Sequence, residues 1–140
     1  MNFLIFGSTG FVSKSVVAGL RKNGHNVVTV GRSTTTRPDH IPYDLSGKGE
    51  VTDALIDVVG WADYCLLLSA VAHKSTNDPL TVNRSIHSTI FQLLARSSQI
   101  PKIIFFSTND VLMLQTYTGQ RYSNFVLRYA LSKQEAESFL

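Results

Sequence analysis

The feature that most constrains the fold is a short apolar run at the start of the chain, which leads through two glycines into a helical pattern. Asn2 to Phe6 is too brief for a helix and is rich in residues that suit a buried strand. After Gly7 and Gly10, apolar residues recur at helical spacing over residues 12–20, and Gly24 follows where a left-handed helix cap is needed. The sequence therefore predicts a strand, a glycine turn and a helix in direct succession.

The same alternation continues along the chain. Three more apolar runs predict strands at Asn26–Val30, Tyr64–Leu68 and Ile103–Phe106. Helical patterns cover residues 51–59, 78–101 and 123–140. This alternation predicts an α/β fold, a Rossmann-type doubly wound parallel sheet. Because Leu140 lies within a helical pattern, we expect a sheet truncated after its fourth strand and the last helix, with the edge of that strand open to another chain.

Length and composition set limits on the class of protein. A chain of 140 residues with 44% hydrophobic and 16% charged residues can form one globular domain, 1–140, without disulfides. Cys65 is the single cysteine, so no disulfide framework exists and a reducing compartment is permitted. The net charge of +3 is dispersed, which gives no basic stripe for nucleic acid. No apolar run is long enough to cross a membrane and no signal peptide is visible, so we expect a cytoplasmic protein.

The glycine turn has two interpretations. It is either a bend between a strand and a helix, or a turn that brings helix amides to the pyrophosphate of a dinucleotide. In the second interpretation Gly7 permits the tight turn and Gly10 the close approach of the backbone to phosphate. Ser13 then replaces a third glycine and is small enough to let the helix pack on the strand. The strand before the turn and the helix after it favour nucleotide binding.

The end of the second strand indicates which nucleotide. A carboxylate there would bind a free ribose 2′-hydroxyl, whereas an arginine would pair with a 2′-phosphate. The sequence has Gly31-Arg32-Ser33 and no acid at this point. Arg32 therefore favours NADP over NAD, although a solvated loop arginine is the alternative. Asp44 and Leu45 follow where a loop passes the adenine.

Five segments together resemble one enzyme family. They are GSTGFVSK at 7–14, Asp44-Leu45, DYCLLLSA at 63–70, FFSTNDV at 105–111 and YALSK at 129–133. In this order they resemble extended short-chain dehydrogenases/reductases of the NAD-dependent epimerase/dehydratase family, over essentially the whole chain. The cofactor contacts that the turn and the resemblance together imply are Gly7, Ser8, Thr9, Gly10, Phe11, Val12, Arg32, Asp44, Leu45, Ser69, Ala70, Tyr129 and Lys133.

The resemblance also assigns catalytic roles. Tyr129 and Lys133 are four residues apart and share a helix face, where the lysine would lower the pKa of the phenol for proton transfer. Thr108 matches the family's hydroxyl residue after the fourth strand, which binds the reacting oxygen. Without the resemblance, the pair would be a solvated helix face and Thr108 a residue that satisfies backbone groups. Asn109-Asp110 matches neither the dehydratases nor the reductases of the family.

The resemblance implies an NADP- or NAD-dependent oxidoreductase, epimerase or dehydratase that acts on a nucleotide-linked sugar or a similar hydroxyl or carbonyl substrate. Family members carry a C-terminal substrate lobe, which we expect to be absent from these 140 residues. A non-catalytic NADP-binding module or a truncated, inactive relative is the alternative. The four histidines have no ligand-like spacing to carboxylates or to Cys65, so we predict no metal site. A homodimer is expected by resemblance alone.

Overall fold

The computed structural model describes residues 1–34, 36–47, 50–71, 78–115 and 124–140. The strands are β1 (Asn2–Phe6), β2 (Asn26–Gly31), β3 (His40–Pro42), β4 (Tyr64–Leu67) and β5 (Lys102–Phe105). The helices are α1 (Phe11–Lys22), α2 (Asp53–Trp61), α3 (Pro79–Arg96), α4 (Asp110–Gln115) and α5 (Asn124–Glu137). This succession confirms the predicted α/β class.

The strands form one parallel sheet in the order β3-β2-β1-β4-β5. Each strand pairs with its neighbours in parallel, and β1 lies at the centre between β2 and β4. The chain thus builds outwards from β1 in one direction and later in the other. This is the doubly wound arrangement that the sequence predicts.

Alternation along β1 explains why both faces of the sheet are covered. Leu4 and Phe6 belong to a core cluster with residues of α2 and α3, whereas Phe3 and Ile5 belong to a second cluster with Val17 of α1. Successive side chains of a strand point to opposite faces. An unbroken apolar strand therefore needs helices on both sides, which α1 on one face and α2 with α3 on the other provide.

The predicted count of four strands is wrong, because the sheet also contains β3. This strand has three residues and pairs with the end of β2, where Gly31 lies opposite Pro42. It lacks an apolar pattern and contains a proline, which strands tolerate only at an edge. β5 forms the other edge, as expected for the last predicted strand, and Ile104 on it is 41% exposed.

Element boundaries differ from the predictions by a few residues. The helix predicted over 78–101 ends at Arg96, and Asp78 is its N-cap, whose carboxylate accepts a 3.2 Å hydrogen bond from the amide of Thr81. The last helix was predicted from residue 123, which lies outside the described residues. α4 was not predicted. Among the described residues, no helix has both the length and the apolar character to cross a membrane.

Candidate functional site

One cavity lies where the strand order reverses. The chain passes from β1 to β2 on one side and returns later to β4 on the other, and ligands of parallel sheets bind at the carboxyl ends of the strands beside such a point. A cavity of about 170 Å³ opens there, and we call it the switch-point cavity. The predicted cofactor contacts that line it are Gly7, Thr9, Gly10, Arg32, Asp44, Leu45, Ser69 and Ala70.

Gly7 brings the end of β1 into close contact with the end of β4. Its φ angle is +91°, a conformation that side chains rarely adopt. A Cβ atom at this position would lie 2.5 Å from both the amide nitrogen and the Cα of Ser69. Only glycine fits both the backbone angle and the space, so Gly7 determines the shape of the cavity floor.

Ser13 fixes the turn from the other side. Its side chain is 1% exposed and its hydroxyl donates a hydrogen bond to the carbonyl oxygen of Gly7. The small residue predicted to replace a third glycine therefore packs as expected and also holds the turn closed. Gly10 is the N-cap of α1 and offers no side chain to the first amides of the helix. The first turn of α1 thus has backbone N–H groups suited to an anion.

Ser69 presents a buried hydroxyl without a partner. The residue is 9% exposed, and its Oγ is buried and makes no hydrogen bond in the structure. Buried hydroxyls are almost always hydrogen-bonded, because an unsatisfied one costs about 1–3 kcal/mol. Since Ser69 lines the switch-point cavity, its hydroxyl is available to a polar group of a ligand there.

Arg32 and Asp44 form the outer, charged side of the same cavity. The hydrogen bond from the Ser46 side chain, and to a smaller extent the nearby Arg32 guanidinium, lower the pKa of Asp44. Ser46 donates to Asp44 Oδ1 from its amide at 3.0 Å and from its hydroxyl at 2.7 Å. An acid on the loop after β3 therefore lies near Arg32, although the end of β2 itself carries none.

Thr108 lies directly beyond β5 and bonds to its own neighbourhood. Its hydroxyl donates to Asp110 Oδ2 at 3.1 Å and accepts from the Asp110 amide at 3.4 Å. Its carbonyl oxygen accepts from the amide of Val111 at 3.2 Å, at the start of α4. In this structure the hydroxyl thus serves the backbone at a helix start, which matches the plain alternative for Thr108.

Lys133 is buried beside the end of β5. It is 2% exposed, and its ammonium donates a 2.8 Å hydrogen bond to the carbonyl oxygen of Phe106. The same nitrogen lies 4.6 Å from the centre of the Phe105 ring, within range of a cation–π interaction. Burial lowers the pKa of Lys133 to about 8. Burial and the nearby lysine likewise lower the pKa of His87 to about 4.

The predicted effect of Lys133 on Tyr129 is wrong for this structure. The pKa of the Tyr129 phenol is raised, first by burial and then by the Asp110 carboxylate. Lys133 is not among the groups that shift it, and the Lys133 ammonium donates to the Phe106 carbonyl. The phenol is therefore protonated at neutral pH and can donate a proton.

The three predicted catalytic residues thus share one region, at the carboxyl end of β5. Thr108 forms a hydrogen bond with Asp110, and the Asp110 carboxylate contributes to the raised pKa of Tyr129. Lys133 forms a hydrogen bond with Phe106. None of the three lines the switch-point cavity. Three further predicted cofactor contacts, Ser8, Phe11 and Val12, are also outside its lining. Phe11 and Val12 begin α1 and are 91% and 48% exposed respectively. Ser8 lines a neighbouring cavity.

Asn83 is a site residue that sequence reasoning missed. It is fully buried in α3. Its Oδ1 accepts from the amide of Val71 at 2.7 Å, and its Nδ2 donates to the carbonyl of Val71 at 3.2 Å and to Ser132 Oγ at 3.1 Å. Ser132 donates in turn to the carbonyl of Tyr129 at 2.6 Å. One amide therefore connects the chain beyond β4 with the helix that carries Tyr129 and Lys133.

Comparison with protein families gives one match. A family model described as the NAD dependent epimerase/dehydratase family matches residues 3–140. A comparison with curated protein sequences finds no match. Within the described part of the chain, no group of three or more metal-binding side chains is assembled.

Several solved structures share the fold. A short-chain dehydrogenase/reductase superfamily protein from Agrobacterium tumefaciens with bound NAD is 21% identical, with a TM-score of 0.70 over 99% of this chain and 43% of that chain. UDP-glucose 4-epimerase from Thermotoga maritima with UDP-glucose is 17% identical, with a TM-score of 0.69 over 99% and 50%. Yeast methylglyoxal/isovaleraldehyde reductase with NADPH is 16% identical, with a TM-score of 0.73 over 99% and 51%. The chain thus spans about half the length of these proteins.

Proposed function

Because this chain belongs to the NAD dependent epimerase/dehydratase family, we propose that it is the nicotinamide-cofactor-binding part of an oxidoreductase, epimerase or dehydratase. The proposed substrate is a nucleotide-linked sugar or a similar hydroxyl or carbonyl compound. The observation that carries the proposal is the switch-point cavity, in which Gly7, Ser69 and the start of α1 meet. The solved structures of similar fold that contain NAD or NADPH support the class of cofactor.

The residues of the cavity fit a dinucleotide. The first amides of α1 and the missing side chains of Gly7 and Gly10 suit a pyrophosphate, which needs close backbone approach. The unpartnered hydroxyl of Ser69 suits a polar group further along the ligand. Leu45 is buried at the cavity wall and suits an apolar ring face. These features favour a nicotinamide dinucleotide over a single phosphate.

Arg32 supports NADP as the preferred cofactor. It lines the cavity at the end of β2, where the ribose of the adenosine half lies in such folds. The Asp44 carboxylate nearby partly offsets its charge. A 2′-phosphate carries more charge than one carboxylate and forms charge-assisted bonds with guanidinium groups. NAD is the alternative, with Asp44 as acceptor for the ribose hydroxyls.

Calorimetric titration of the chain tests the cofactor. We expect NADP to bind about tenfold or more tightly than NAD, as one charge-assisted contact of roughly 1.5 kcal/mol implies. Arg32→Ala should remove the preference without weakening NAD. Arg96→Ala, at the distant end of α3, is the matched control and should change neither affinity. Equal affinities in the wild type, or tighter NAD, would remove Arg32 from this role.

Three side chains would perform the proton chemistry. A bound nicotinamide cofactor supplies the hydride donor or acceptor in this class of reaction. In this proposal Tyr129 transfers a proton at the substrate oxygen, for which its protonated phenol is suited as a donor. Thr108 hydrogen-bonds the same oxygen, and Lys133 holds the cofactor ribose. Both Thr108 and Lys133 must exchange bonds that they make within the chain.

A second candidate is a nucleotide-binding module without turnover. It is favoured by the hydrogen bond from the Thr108 hydroxyl to Asp110, which occupies a group that turnover would need. Turnover of an authentic substrate distinguishes the two candidates, because both bind the cofactor. If the protein is part of an enzyme, replacing Tyr129 must lower the rate of turnover. If it is a binding module, replacing Tyr129 has no effect on turnover.

The proposal also covers the oligomeric state of the protein and its location in the cell. We propose a homodimer through the outer faces of α3 and α5, where a cavity of about 700 Å³ is lined by Phe91, Ala95, Ala136 and Phe139. Phe139 is 74% exposed, and its ring lies 5.5 Å from that of Phe91. A second copy would cover this apolar surface. A cytoplasmic location and the absence of nucleic-acid and membrane partners stay predictions from the sequence.

A further inference from the structure

A second cavity lies beside the switch-point cavity, between β2 and the start of α1. It measures about 420 Å³, and we call it the β2 cavity. Thr9 lines both cavities. Gly31 separates them, since a Cβ atom at Gly31 would lie 3.2 Å from Ser8 Oγ and 3.8 Å from His40 Cε1, two residues that line the β2 cavity.

His40 is the buried polar group of this cavity. It begins β3 and is 8% exposed. Its Nδ1 lies 2.8 Å from Thr29 Oγ1, and its Nε2 lies 2.9 Å from both Ser33 Oγ and the carbonyl oxygen of Ser33. Thr29 belongs to β2 and Ser33 to the loop beyond it. One imidazole thus connects the strand with the loop that also carries Arg32.

The chemistry of these partners fixes the direction of the bonds. A carbonyl oxygen can only accept, so Nε2 carries a proton and donates to Ser33. In the neutral ring Nδ1 is then the acceptor. The Thr29 hydroxyl is the donor at 2.8 Å, and it also lies within 3.3 Å of a second acceptor, the carbonyl oxygen of Asp39. The backbone and the hydroxyl of Ser33 are therefore both held, and the hydroxyl oxygen stays at the wall of the β2 cavity.

The charges around the β2 cavity favour an anion. Arg21 and Arg37 both bond to the carboxylate of Asp39, which offsets their charge. Lys14, from the first turns of α1, also lines the cavity and forms no salt bridge with any residue that the structure describes. Arg32 lies on the far side of Gly31. Two cations therefore flank the hydroxyls of Ser8 and Ser33.

We propose that His40 is a positioning residue for recognition of the 2′-phosphate of NADP, acting by holding Ser33 in place beside Lys14 and Arg32. This inference rests on the proposed function, since it assumes a dinucleotide in the switch-point cavity. It assigns the discrimination between NADP and NAD to a preformed hydroxyl and not to the arginine alone. An ordered donor loses less entropy on binding than a mobile loop does.

The test compares NADP with NAD in wild type and in variants, by calorimetry on the chain itself. His40→Leu removes all three polar contacts and fills the position with an apolar side chain of similar size. We expect it to weaken NADP about tenfold, while NAD affinity changes by less than about twofold, because NAD lacks the phosphate. His40→Gln keeps donor and acceptor groups and should restore part of the preference.

Two further variants separate positioning from loss of fold. His25→Leu is the matched control, because this half-buried histidine lies at the opposite end of β2 with its ring 5.1 Å from Phe3; it should change neither affinity. Ser33→Ala keeps the carbonyl that bonds to His40 and removes only the hydroxyl. If His40→Leu does not fold, Ser33→Ala should still weaken NADP selectively.

The outcomes distinguish this inference from the proposal on which it rests. Equal affinity of wild type for NADP and NAD would overturn the NADP preference, and the inference with it. A wild type that prefers NADP, together with His40→Leu and Ser33→Ala variants that keep the full preference, would overturn the inference alone. Equal weakening of both nucleotides by Ser33→Ala would also overturn it, because a merely structural role affects both.

Discussion

The ammonium of Lys133 donates a 2.8 Å hydrogen bond to the carbonyl oxygen of Phe106. This bond joins α5 to the carboxyl end of β5 and holds the buried cation there, outside the lining of the switch-point cavity. The pKa of Tyr129, four residues earlier on the same helix, is raised by burial and by Asp110. The two residues that the sequence pairs by spacing therefore have different tasks in the structure.

Replacing these two residues should have unequal effects. Tyr129→Phe removes one oxygen, so we expect cofactor affinity to stay within about twofold and turnover to fall roughly a hundredfold or more. Lys133→Ala removes the bond to Phe106 and should weaken cofactor binding as well as turnover. Affinity is measured by calorimetry on the chain, and turnover across a panel of nucleotide sugars after joining the chain to the substrate-binding part of a family member. A Tyr129→Phe protein as active as wild type would favour the binding module.

Gly7 and Gly24 allow a matched test of the turn. Both have positive φ angles, +91° and +74°, but only Gly7 has atoms in the place of a Cβ. Gly24→Ala should lower the free energy of unfolding by about 1 kcal/mol, the cost of the backbone angle. Gly7→Ala should cost about 3 kcal/mol or more, because the backbone of Ser69 must also move. Urea denaturation measures both, and equal costs would contradict the close contact.

Asn83 should be far more sensitive than another amide on the same helix. Asn83→Leu leaves both backbone groups of Val71 without their partner, so we expect a loss of about 2–4 kcal/mol in the free energy of unfolding. Gln92→Leu, at an exposed position of α3, should change it by less than about 0.5 kcal/mol. Chemical denaturation of the two variants provides the comparison. A similar effect of both would argue that water satisfies Val71.

His87 should make the protein sensitive to acid. Its folded-state pKa of about 4 lies below the ordinary value of 6.5, through burial and the nearby Lys133, with Glu135 acting in the opposite direction. Between these values the unfolded chain binds a proton that the folded chain does not, so stability is present above pH 6.5 and is lost as the pH falls towards 4. Relative to His87→Gln, wild type should lose up to about 3 kcal/mol over this range. An equal difference in the free energy of unfolding between wild type and His87→Gln at both ends of this pH range would contradict the prediction.

The proposed dimer can be tested against pairing at the sheet edge. Phe139→Asp places a charge on the surface of α3 and α5 and should shift the protein to a monomer in sedimentation experiments. Ile104→Lys places a charge on the exposed edge strand β5, where lysine discourages strand pairing. We expect it to leave the dimer intact. The reverse result would assign self-association to the edge of β5, and a wild-type monomer at high concentration would exclude both.

The sequence predicts those strands and turns whose structure is determined by residues next to each other in the chain. Asn2–Phe6 is a strand because its last four residues are apolar and buried, and Gly7 turns because only glycine accepts its backbone angle. β3 escaped prediction because its three residues are held by pairing with β2 and not by a pattern of their own. Short edge strands carry little local signal of this kind.

Site residues follow the same division. The glycine turn, Arg32 and Ser69, which the sequence singles out as cofactor contacts, line one cavity. That they bind a cofactor stays a prediction. Asn83 was missed because its role depends on Val71 and Ser132, which only the fold brings to it. The pKa of Tyr129 was wrongly predicted for a similar reason, since it is raised first by burial in the fold and then by Asp110, which approaches as α4 packs against α5. Contacts between residues that are far apart in the chain produce no repeating pattern in the sequence.

Val71 lies beyond the end of β4, and the side chain of Asn83 hydrogen-bonds to both its amide and its carbonyl group, as a neighbouring strand would. Deuterium uptake at the Val71 amide then depends on the release of a fully buried side chain and should be slow for a position beyond a strand. Because the same amide group bonds to Ser132 of α5, separation of α5 from α3 would loosen both contacts. The exchange rate of this single proton therefore reports how often the helix that carries Tyr129 and Lys133 detaches, with no substrate or cofactor needed.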